Sequence, residues 1–351
     1  MKRTLFISAF CVLTLIAAGF AARAAALAEI PFALEHNKIY FPDVFIGGKG
    51  PYRATLDTGS SHIGLDVALG AELGLVSKAD MDVIATGGNT TAGRVDIPAM
   101  KIGSFDVFAE GQPAVLAGIR PQAASMGESI DIIIGYPLLR NYIVELDFPA
   151  RKMRLYSSDG FTPPTGAEKL DLNLMFNVPM VPVSIEGNSA TAMLDTGSNS
   201  ALDTYPGFMA RSGLEDARKM YDMPVLGLGG TVDTRLFLVK DMKIASFAFN
   251  SVKAYAHSRP LIGSSLDALI GTDILRRFTV TFDYKDSVVY FVPSKTDMTL
   301  PWDDERAGFA ALQDTTGTVF VVAVIAESPA QRAGLVIGDK IMTMNGKPVS
   351  E

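Results

Sequence analysis

Cysteine and histidine are scarce in this sequence of 351 residues, which contains one cysteine and three histidines. Cys11 lies inside an N-terminal apolar stretch that is typical of an export signal. If that stretch is removed, the remaining chain has no cysteine, so packed cores rather than disulfides must stabilise it. His36, His62 and His257 lack the spacing of metal ligands. The sequence therefore predicts neither a metal site nor a cofactor.

An excess of positive charge is also missing. The chain has 31 lysines and arginines against 38 aspartates and glutamates, a formal charge of −7, and no long block of one sign. Because an acidic chain with dispersed basic residues binds a phosphate backbone poorly, nucleic acid is not expected as a partner. Hydrophobic residues make up 48% of the chain and charged residues 20%, which is typical of a globular protein. The length predicts two or three domains.

The first 28 residues are predicted to be a signal peptide. Two basic residues precede an apolar stretch at residues 5–22, and small residues follow it. Cleavage sites of the A-x-A type end at Ala24 and at Ala28. The sequence thus predicts export to the periplasm or the extracellular space. The alternative is an uncleaved membrane anchor, because the stretch is just long enough to span a bilayer.

One pattern occurs twice between about residues 29 and 292, and it organises most of the chain. The tetrad Asp-Thr-Gly-Ser at residues 57–60 returns at residues 195–198, each time after a short strand-like run. Further along, Ile-Ile-Gly at residues 133–135 returns as Leu-Ile-Gly at residues 269–271. Each copy closes with a hairpin pattern, at residues 144–156 and 280–291. The repeat predicts two similar, mostly β lobes joined by a linker.

Few helices are expected within these lobes. The sequence predicts a short helix at about residues 67–73 and another directly after each apolar-Gly element. The linker between the lobes is placed at residues 157–166, where serine, glycine, proline and threonine cluster.

The paired tetrads are candidates for a catalytic site in which Asp57 and Asp195 act together. Two carboxylates held a few ångströms apart cannot both ionise easily, so they share a proton. The charged carboxylate can take a proton from water, and the protonated one can stabilise the oxyanion that forms from a peptide carbonyl. This chemistry needs no metal, cofactor or covalent intermediate.

The other positions of each tetrad have predicted supporting roles. The glycine permits a sharp turn and close approach of two backbones. The threonine can form hydrogen bonds across the lobe interface, and the serine can donate to the outer carboxylate oxygen. A single Asp-Thr-Gly-Ser is usually an ordinary turn, and it is the parallel arrangement of two copies that favours catalysis. The residues concerned are Thr58, Gly59, Ser60, Thr196, Gly197 and Ser198.

Taken together, the two tetrads and the apolar-Gly elements resemble the pepsin and retropepsin-like aspartic proteases over about residues 30–293. The resemblance implies a mostly β, bilobal acid protease fold with a polypeptide substrate in the cleft between the lobes. It implies that Asp57 and Asp195 form a dyad within one chain, the alternative being lobe exchange between two chains. It also implies that the apolar-Gly elements pack beside the catalytic loops, through Ile134, Gly135, Ile270 and Gly271.

Flaps over the cleft are less clearly marked. No tyrosine occurs in residues 83–95, where the first flap is expected, so the flap tyrosine of pepsin has no counterpart there. Residues 87–91 and 227–230 are glycine-rich and are candidates for flap tips. Ordinary glycine-rich turns are the alternative.

The chain changes character after residues 294–299. Residues 328–349 resemble the middle of a bacterial PDZ domain, an α+β fold that binds extended peptides, often their C-termini, by adding a strand to a sheet edge. The helix and strand that complete such a groove do not appear before Glu351. The segment is expected to be either cut short or degenerate.

The sequence thus predicts a signal peptide at residues 1–28, two protease lobes at residues 29–163 and 164–296, and a partial PDZ-like domain at residues 300–351. The predicted function is that of an exported aspartic endopeptidase. The alternative is a non-catalytic peptide-binding or scaffold protein with the same fold. The two intact carboxylates argue against that alternative, because a binding module has no use for two mutually repelling acids.

Overall fold

The computed structural model describes residues 24–85, 88–216, 218–227, 229–261, 266–302, 307–314 and 316–349. Most of the predicted signal peptide, including Cys11, lies outside these residues. In the part of the chain that is described, no helix is long and apolar enough to cross a membrane. The described residues form a mostly β protein with two similar lobes and a small C-terminal segment.

The first lobe is a large sheet with short helices on its surface. Its strands are β1 (Ala28–Pro31), β2 (Ala33–Glu35), β3 (Lys38–Ile46), β4 (Lys49–Leu56), β5 (Gly64–Asp66), β6 (Ala79–Ala85), β7 (Gly88–Ile97), β8 (Met100–Ile102), β9 (Phe105–Phe108), β10 (Gln112–Ala117), β11 (Ile132–Ile134), β12 (Ile143–Asp147) and β13 (Lys152–Tyr156). Its helices are α1 (Val67–Leu73), α2 (Ile119–Ser125) and α3 (Tyr136–Asn141). The main sheet has the order β6-β7-β10-β5-β11-β4-β3-β8-β9, and β2 pairs with β3.

The second lobe repeats this plan. Its strands are β14 (Glu168–Asp171), β15 (Asn173–Met175), β16 (Val178–Ile185), β17 (Asn188–Leu194), β18 (Leu202–Thr204), β19 (Tyr221–Asp222), β20 (Val225–Gly227), β21 (Gly230–Val232), β22 (Thr234–Ile244), β23 (Phe247–His257), β24 (Ala268–Ile270), β25 (Phe278–Asp283) and β26 (Val288–Pro293). Its helices are α4 (Pro206–Ser212) and α5 (Thr272–Leu275), and a 3-10 turn follows at Asp297–Thr299. The main sheet has the order β15-β16-β17-β24-β18-β23-β22-β19, and a further pairing of β16 with β22 closes it into a barrel.

A third sheet joins the two lobes. Its order is β1-β13-β12-β25-β26-β14, so the hairpins predicted at residues 144–156 and 280–291 are confirmed and lie side by side. Strands β12 and β25 pair antiparallel at its centre, with Val144 opposite Phe282. Both side chains are fully buried. The lobes therefore share one hydrophobic core, and the backbone that positions each Asp-Thr-Gly-Ser loop is anchored in it.

The predicted helices are present. Helix α1 begins after Asp66, whose carboxylate accepts a hydrogen bond from the N–H of Ala68, and ends at Gly74 with a φ of 73°. Helices α3 and α5 directly follow Gly135 and Gly271, as predicted. Helices α2 and α4, each of seven residues, were not predicted.

The start of the first lobe overlaps the predicted signal peptide. The N–H of Leu27 donates to the carbonyl oxygen of Leu155 at 2.8 Å, and Ala28 is the first residue of β1. Ala28 also packs against the main core. Residues 27 and 28 are therefore part of the folded lobe.

The C-terminal segment forms a small sheet that lies against the second lobe. Its elements are β27 (Phe309–Gln313), β28 (Val319–Val324), α6 (Pro329–Arg332), β29 (Lys340–Ile341), β30 (Thr343–Met344) and β31 (Lys347–Pro348). Ala323 packs with Met223 and Tyr255 of the second lobe. Lys219 and Glu327 form an exposed ion pair at 2.5 Å between the same two units. The PDZ-like character of this segment stays a prediction.

Candidate active site

Both catalytic loops are built in the same way. Asp57 directly follows β4, and its N–H donates to the carbonyl oxygen of Ile134 at 2.9 Å. Asp195 directly follows β17, and its N–H donates to the carbonyl oxygen of Ile270 at the same distance. Strands β11 and β24 run parallel to β4 and β17 respectively. Each apolar-Gly element therefore fixes the point at which its tetrad leaves the sheet.

The glycines of these elements allow the loops to pack closely. A methyl group placed on Gly135 would lie 2.2 Å from the carbonyl oxygen of Ser60. A methyl group on Gly271 would lie 2.3 Å from the carbonyl oxygen of Ser200. No side chain fits at either position, because real Cβ atoms do not approach backbone oxygens so closely. The structure thus places Ile134, Gly135, Ile270 and Gly271 beside the two loops, as the resemblance implied.

The two aspartates lie face to face within one chain. A methyl group on Gly59 would lie 2.8 Å from Cγ of Asp195, and one on Gly197 would lie 2.5 Å from Cγ of Asp57. Each carboxylate is therefore packed on the glycine of the opposite loop. Only glycine leaves room for this crossing, because any Cβ would displace the facing carboxylate.

The threonines lock the two loops together. The N–H of Thr58 donates to Oγ1 of Thr196 at 3.1 Å, and the N–H of Thr196 donates to Oγ1 of Thr58 at 3.0 Å. The hydroxyl groups donate in turn to the carbonyl oxygens of Leu194 and Leu56, at 2.7 and 2.8 Å. Both threonines are fully buried. Since all these buried groups are paired, the loops have little freedom to separate.

The electrostatics of the pair are unequal. Burial raises the pKa of Asp57, but hydrogen bonds from the N–H groups of Gly59 and Ser60 and the charge of Lys38 act in the opposite direction. Burial raises the pKa of Asp195 further, and the adjacent charge of Asp57 adds to this effect. The arrangement therefore favours a pair that shares one proton.

One buried oxygen supports the same conclusion. Oδ1 of Asp57 is shielded from solvent and receives no hydrogen bond from an N–H or O–H group of the described residues. The carboxyl group of Asp195 is a hydrogen-bonding neighbour of the Asp57 side chain. A buried acceptor without a donor is costly, and a proton shared by the two carboxyl groups removes that cost.

The predicted role of the tetrad serines is wrong. The Ser60 hydroxyl donates to the carbonyl oxygen of His62 at 3.1 Å. Oγ of Ser198 lies 2.9 Å from Oγ of Ser200, and Ser200 donates its own proton to the carboxylate of Asp203. Ser198 is thus the donor to Ser200, and neither tetrad hydroxyl has a proton left for the dyad. The main-chain N–H groups support the carboxylates instead.

A second pair of aspartates supports the loops from behind, a role that was not predicted from the sequence. Asp131 accepts a hydrogen bond from the backbone of β4 at 2.8 Å and pairs with Arg120 at 2.7 Å. Asp267 accepts one from the backbone of β17 at 2.9 Å and from Arg211 at 2.7 Å. Each lies two residues before an apolar-Gly element, so their equivalent places in the repeat were the available signal.

The remaining candidate residues have local roles. Asp147 and Asp283, at equivalent places in the two closing hairpins, accept hydrogen bonds from the N–H groups of Ala150 and Asp286, each at 3.1 Å, and are structural acceptors. Burial lowers the pKa of His62, and the charge of nearby Arg94 contributes. The described residues contain no group of three or more side chains that could hold a metal ion.

Two hairpins from opposite lobes meet at their tips. The first consists of β6 and β7 and the second of β20 and β21, while residues 86, 87 and 228 lie outside the described residues. A methyl group on Gly88 would lie 3.6 Å from the carbonyl oxygen of Gly229. These hairpins contain the predicted flap tips, and their role as flaps stays a prediction.

Residues 43–138 and 181–274 each match the sequence profile of a family described as Aspartyl protease. The two segments together span more than half of the chain, and each contains one tetrad. The chain belongs to the aspartyl protease family. The doubled match gives this aspartyl protease two tandem lobes, and both are mostly β.

A solved structure is also similar to this aspartyl protease. It is described as a crystal structure of a retropepsin-like aspartic protease from Rickettsia conorii, with 16% identity and a TM-score of 0.30. The match covers 36% of this chain and 89% of that one. A search of curated proteins gave no match.

Proposed function

We propose that this aspartyl protease is an endopeptidase that hydrolyses peptide bonds with a water molecule activated between Asp57 and Asp195. The observation that carries the proposal is the crossing of the two carboxylates, each packed on the glycine of the opposite loop. This geometry keeps two acids together in a buried place, which is unfavourable unless they share a proton.

The dyad can balance every proton of the reaction. Asp57 takes a proton from water as the water oxygen attacks the peptide carbonyl carbon, and Asp195 gives its proton to the carbonyl oxygen. In the second step Asp57 returns its proton to the amide nitrogen while Asp195 takes one from a hydroxyl group of the tetrahedral intermediate. The C–N bond then breaks, and the dyad is again singly protonated on Asp195.

Inhibitor binding separates this proposal from a non-catalytic peptide-binding protein. A statine-type compound, which mimics the tetrahedral intermediate, should bind the wild type and should bind Asp195→Asn at least about 100-fold more weakly. The matched control is Asp131→Asn, which changes an aspartate behind the same loops. Equal binding of the compound to the wild type and to Asp195→Asn would favour a binding protein.

We also propose that the protein is exported to the periplasm or the extracellular space after removal of its signal peptide. The composition of residues 1–28 supports this, and so does the pairing of Leu27 with Leu155, which favours cleavage after Ala24 over cleavage after Ala28. N-terminal sequencing of protein from the medium or periplasm should find Ala25 as the first residue. An intact N-terminus in the membrane fraction would contradict the proposal and indicate an anchor.

For the C-terminal segment, we propose binding of an extended peptide end. A cavity of about 440 Å³ supports this, and it lies between the start of β27 and α6, with Phe309, Pro329 and Leu335 in its lining. Peptides with a free C-terminus should bind, and the same peptides with an amidated C-terminus should bind more weakly. Phe309→Ser should weaken the binding of both forms of the peptide. If this variant binds them as tightly as the wild type does, the assignment is contradicted.

A further inference from the structure

A buried carboxylate lies beside the second catalytic loop and takes no part in the reaction described above. Asp203 is 6% exposed, and its Oδ1 lies 2.8 Å from Nε2 of His257, which is 8% exposed. Its Oδ2 accepts a hydrogen bond from Ser200, which in turn contacts Ser198 at 2.9 Å. Because Ser198 ends the second tetrad, a continuous chain of hydrogen bonds connects the loop of Asp195 to His257.

The first lobe has no carboxylate at the corresponding place. Asp203 pairs with Leu269 across the sheet, and Gly64 pairs with Ile133, which is the equivalent residue of the first apolar-Gly element. Gly64 thus stands where the second lobe has Asp203. A methyl group on Gly64 would lie 3.3 Å from Ile119 of α2, so an apolar side chain occupies the adjacent space.

The partner of the carboxylate is also specific to the second lobe. Strand β10 runs parallel to β5 as β23 runs parallel to β18, and the registers place Ala117 where β23 has His257. The first lobe therefore builds the same strands with glycine and alanine. Since the fold forms there without a polar pair, the fold does not require Asp203 and His257 in the second lobe.

The charge of Asp203 acts on Asp195, which is one member of the dyad. Burial raises the pKa of Asp195, and the charges of Asp57 and Asp203 raise it further. Lys38 acts on the other member, where its positive charge favours ionised Asp57. The ionisable groups near Asp195 are Asp57 from the first loop, Asp203 from β18, Tyr205 after β18 and Tyr284 after β25.

We propose that Asp203 is a positioning residue for the proposed endopeptidase, which holds the Asp195 loop through Ser200 and keeps the shared proton on Asp195. It has no contact with the reacting atoms and acts through the hydrogen-bond chain and through its charge. His257 holds Asp203 in place. The ring of Tyr205 lies against the imidazole ring of His257 in a tilted arrangement, with a centroid distance of 4.9 Å. The inference rests on the proposed function for its role in catalysis, but not for its effect on the protonation of Asp195.

The test is the dependence of kcat/KM on pH for Asp203→Asn. Asparagine has nearly the same shape and no charge; its oxygen can accept from Ser200, and its NH2 group can donate to Nε2 of the other neutral tautomer of His257. Because the charge is lost, the singly protonated dyad should lose its proton at lower pH. The alkaline limb of the profile should move down by roughly half a pH unit, with kcat at the plateau within about threefold of wild type. An alkaline limb that coincides with that of wild type would overturn the proposal. Failure of Asp203→Asn to fold would also overturn the proposal, because the pair of Asp203 and His257 would then be structural.

Two controls separate charge from structure. His257→Gln disturbs the same pair but leaves the charge of Asp203, so the alkaline limb should not move down. Asp66→Asn removes the buried carboxylate of the first lobe that caps α1, and it should lower stability without moving the limb. An equal downward shift in either control would overturn the proposal.

A readout without substrate keeps this inference separate from the proposed function. In protein labelled with carbon-13 at the aspartate carboxyl carbons, NMR titration reports the protonation of Asp195, whose signal is identified as the one missing from Asp195→Asn. The signal should titrate at lower pH in Asp203→Asn than in wild type. If wild type cleaves no peptide but this shift occurs, the proposed function fails and the inference stands. Identical titration curves would overturn the inference whether or not the protein is a peptidase.

Discussion

Thr58 and Thr196 exchange hydrogen bonds across the lobe interface, each main-chain N–H donating to the hydroxyl oxygen of the other residue at 3.1 and 3.0 Å. The hydroxyl groups then donate to carbonyl oxygens of the opposite lobe. The position of Asp57 thus depends on the second lobe, and that of Asp195 depends on the first. Neither lobe can place its carboxylate correctly alone.

Replacing Thr58 by valine should therefore affect both stability and catalysis. Valine keeps the shape but leaves the N–H of Thr196 and the carbonyl oxygen of Leu194 buried without partners, at a cost of about 2–4 kcal/mol in the free energy of unfolding. Urea unfolding and kcat measure the two effects. Thr55→Val is the control, because Thr55 makes one buried hydrogen bond inside the first lobe, and it should lower stability without lowering kcat. Equal kcat values for Thr58→Val and Thr55→Val would contradict the dependence of each carboxylate on the opposite lobe.

The tetrad glycines should tolerate no side chain. A methyl group at Gly197 would lie 2.5 Å from Cγ of Asp57, so Gly197→Ala must displace a catalytic carboxylate. We expect kcat to fall by at least about 100-fold, because misplacement of a reacting group by about 1 Å has an effect of that size. Gly118→Ala is the control, since no atom lies within 4 Å of a methyl group there. A fully active Gly197→Ala enzyme would contradict the crossed arrangement.

The buried dyad should reduce stability as the pH rises. Burial raises the pKa of Asp195 above the value of about 3.9 expected in the unfolded chain. Between these two values the folded protein holds a proton that the unfolded chain has released, so stability decreases as pH increases through that range. Asp195→Asn lacks this effect. The Tm of Asp195→Asn minus that of wild type should increase as the pH rises above about 4. A Tm difference that shrinks with rising pH would contradict the burial of the dyad.

Removal of the Ser60 hydroxyl should leave the dyad unchanged. This hydroxyl donates to the carbonyl oxygen of His62, and the N–H that supports Asp57 remains in alanine. Ser60→Ala should therefore keep the pH profile of kcat/KM and lose only about 1 kcal/mol of stability. A shift of the acid limb to higher pH would show that the hydroxyl stabilises the ionised carboxylate after all.

An exposed phenylalanine beside the first loop should contribute to substrate preference. Phe176 is 67% exposed in a left-handed conformation with a φ of 52°, and its carbonyl oxygen accepts a hydrogen bond from the Ser61 hydroxyl at 2.6 Å. Phe176 and Asn177 form the two-residue turn between β15 and β16, which requires positive φ at both residues and holds the exposed ring at the tip of this hairpin. Phe176→Ser should raise KM about tenfold for peptides with large apolar residues near the cleaved bond and leave kcat unchanged. Leu238→Ser, at a similarly exposed residue of β22, is the control, and equal KM values for the two variants would exclude this role.

The sequence predicted the parts of the site that depend on local pattern. The tetrads, the Gly135 and Gly271 elements and the two closing hairpins could be read from the repeat, because each copy constrains the other. Helix α1 could be predicted from its apolar spacing and from the glycine that follows it.

The parts that depend on distant contacts could not be predicted. Asp203 and His257 meet only because β18 and β23 pair in parallel, and nothing in the local sequence marks that register. The direction of the Ser60 hydroxyl is set by its hydrogen bond to the nearby carbonyl oxygen of His62. Since the first copy of the repeat has neither Asp203 nor His257 at the equivalent places, the pattern held no information about that pair.

The central claim is that Asp57 and Asp195 form one catalytic unit, and cleavage of a peptide library by wild type, Asp57→Asn and Asp195→Asn tests it most directly. Wild type should cleave internal peptide bonds. Each single variant should lose activity by at least about 1,000-fold and the double variant should be no worse than either, since residues that act as a unit are not additive. Circular dichroism should show that all the proteins are folded. Cleavage by either single variant at the wild-type rate, at the same sites, would contradict the account.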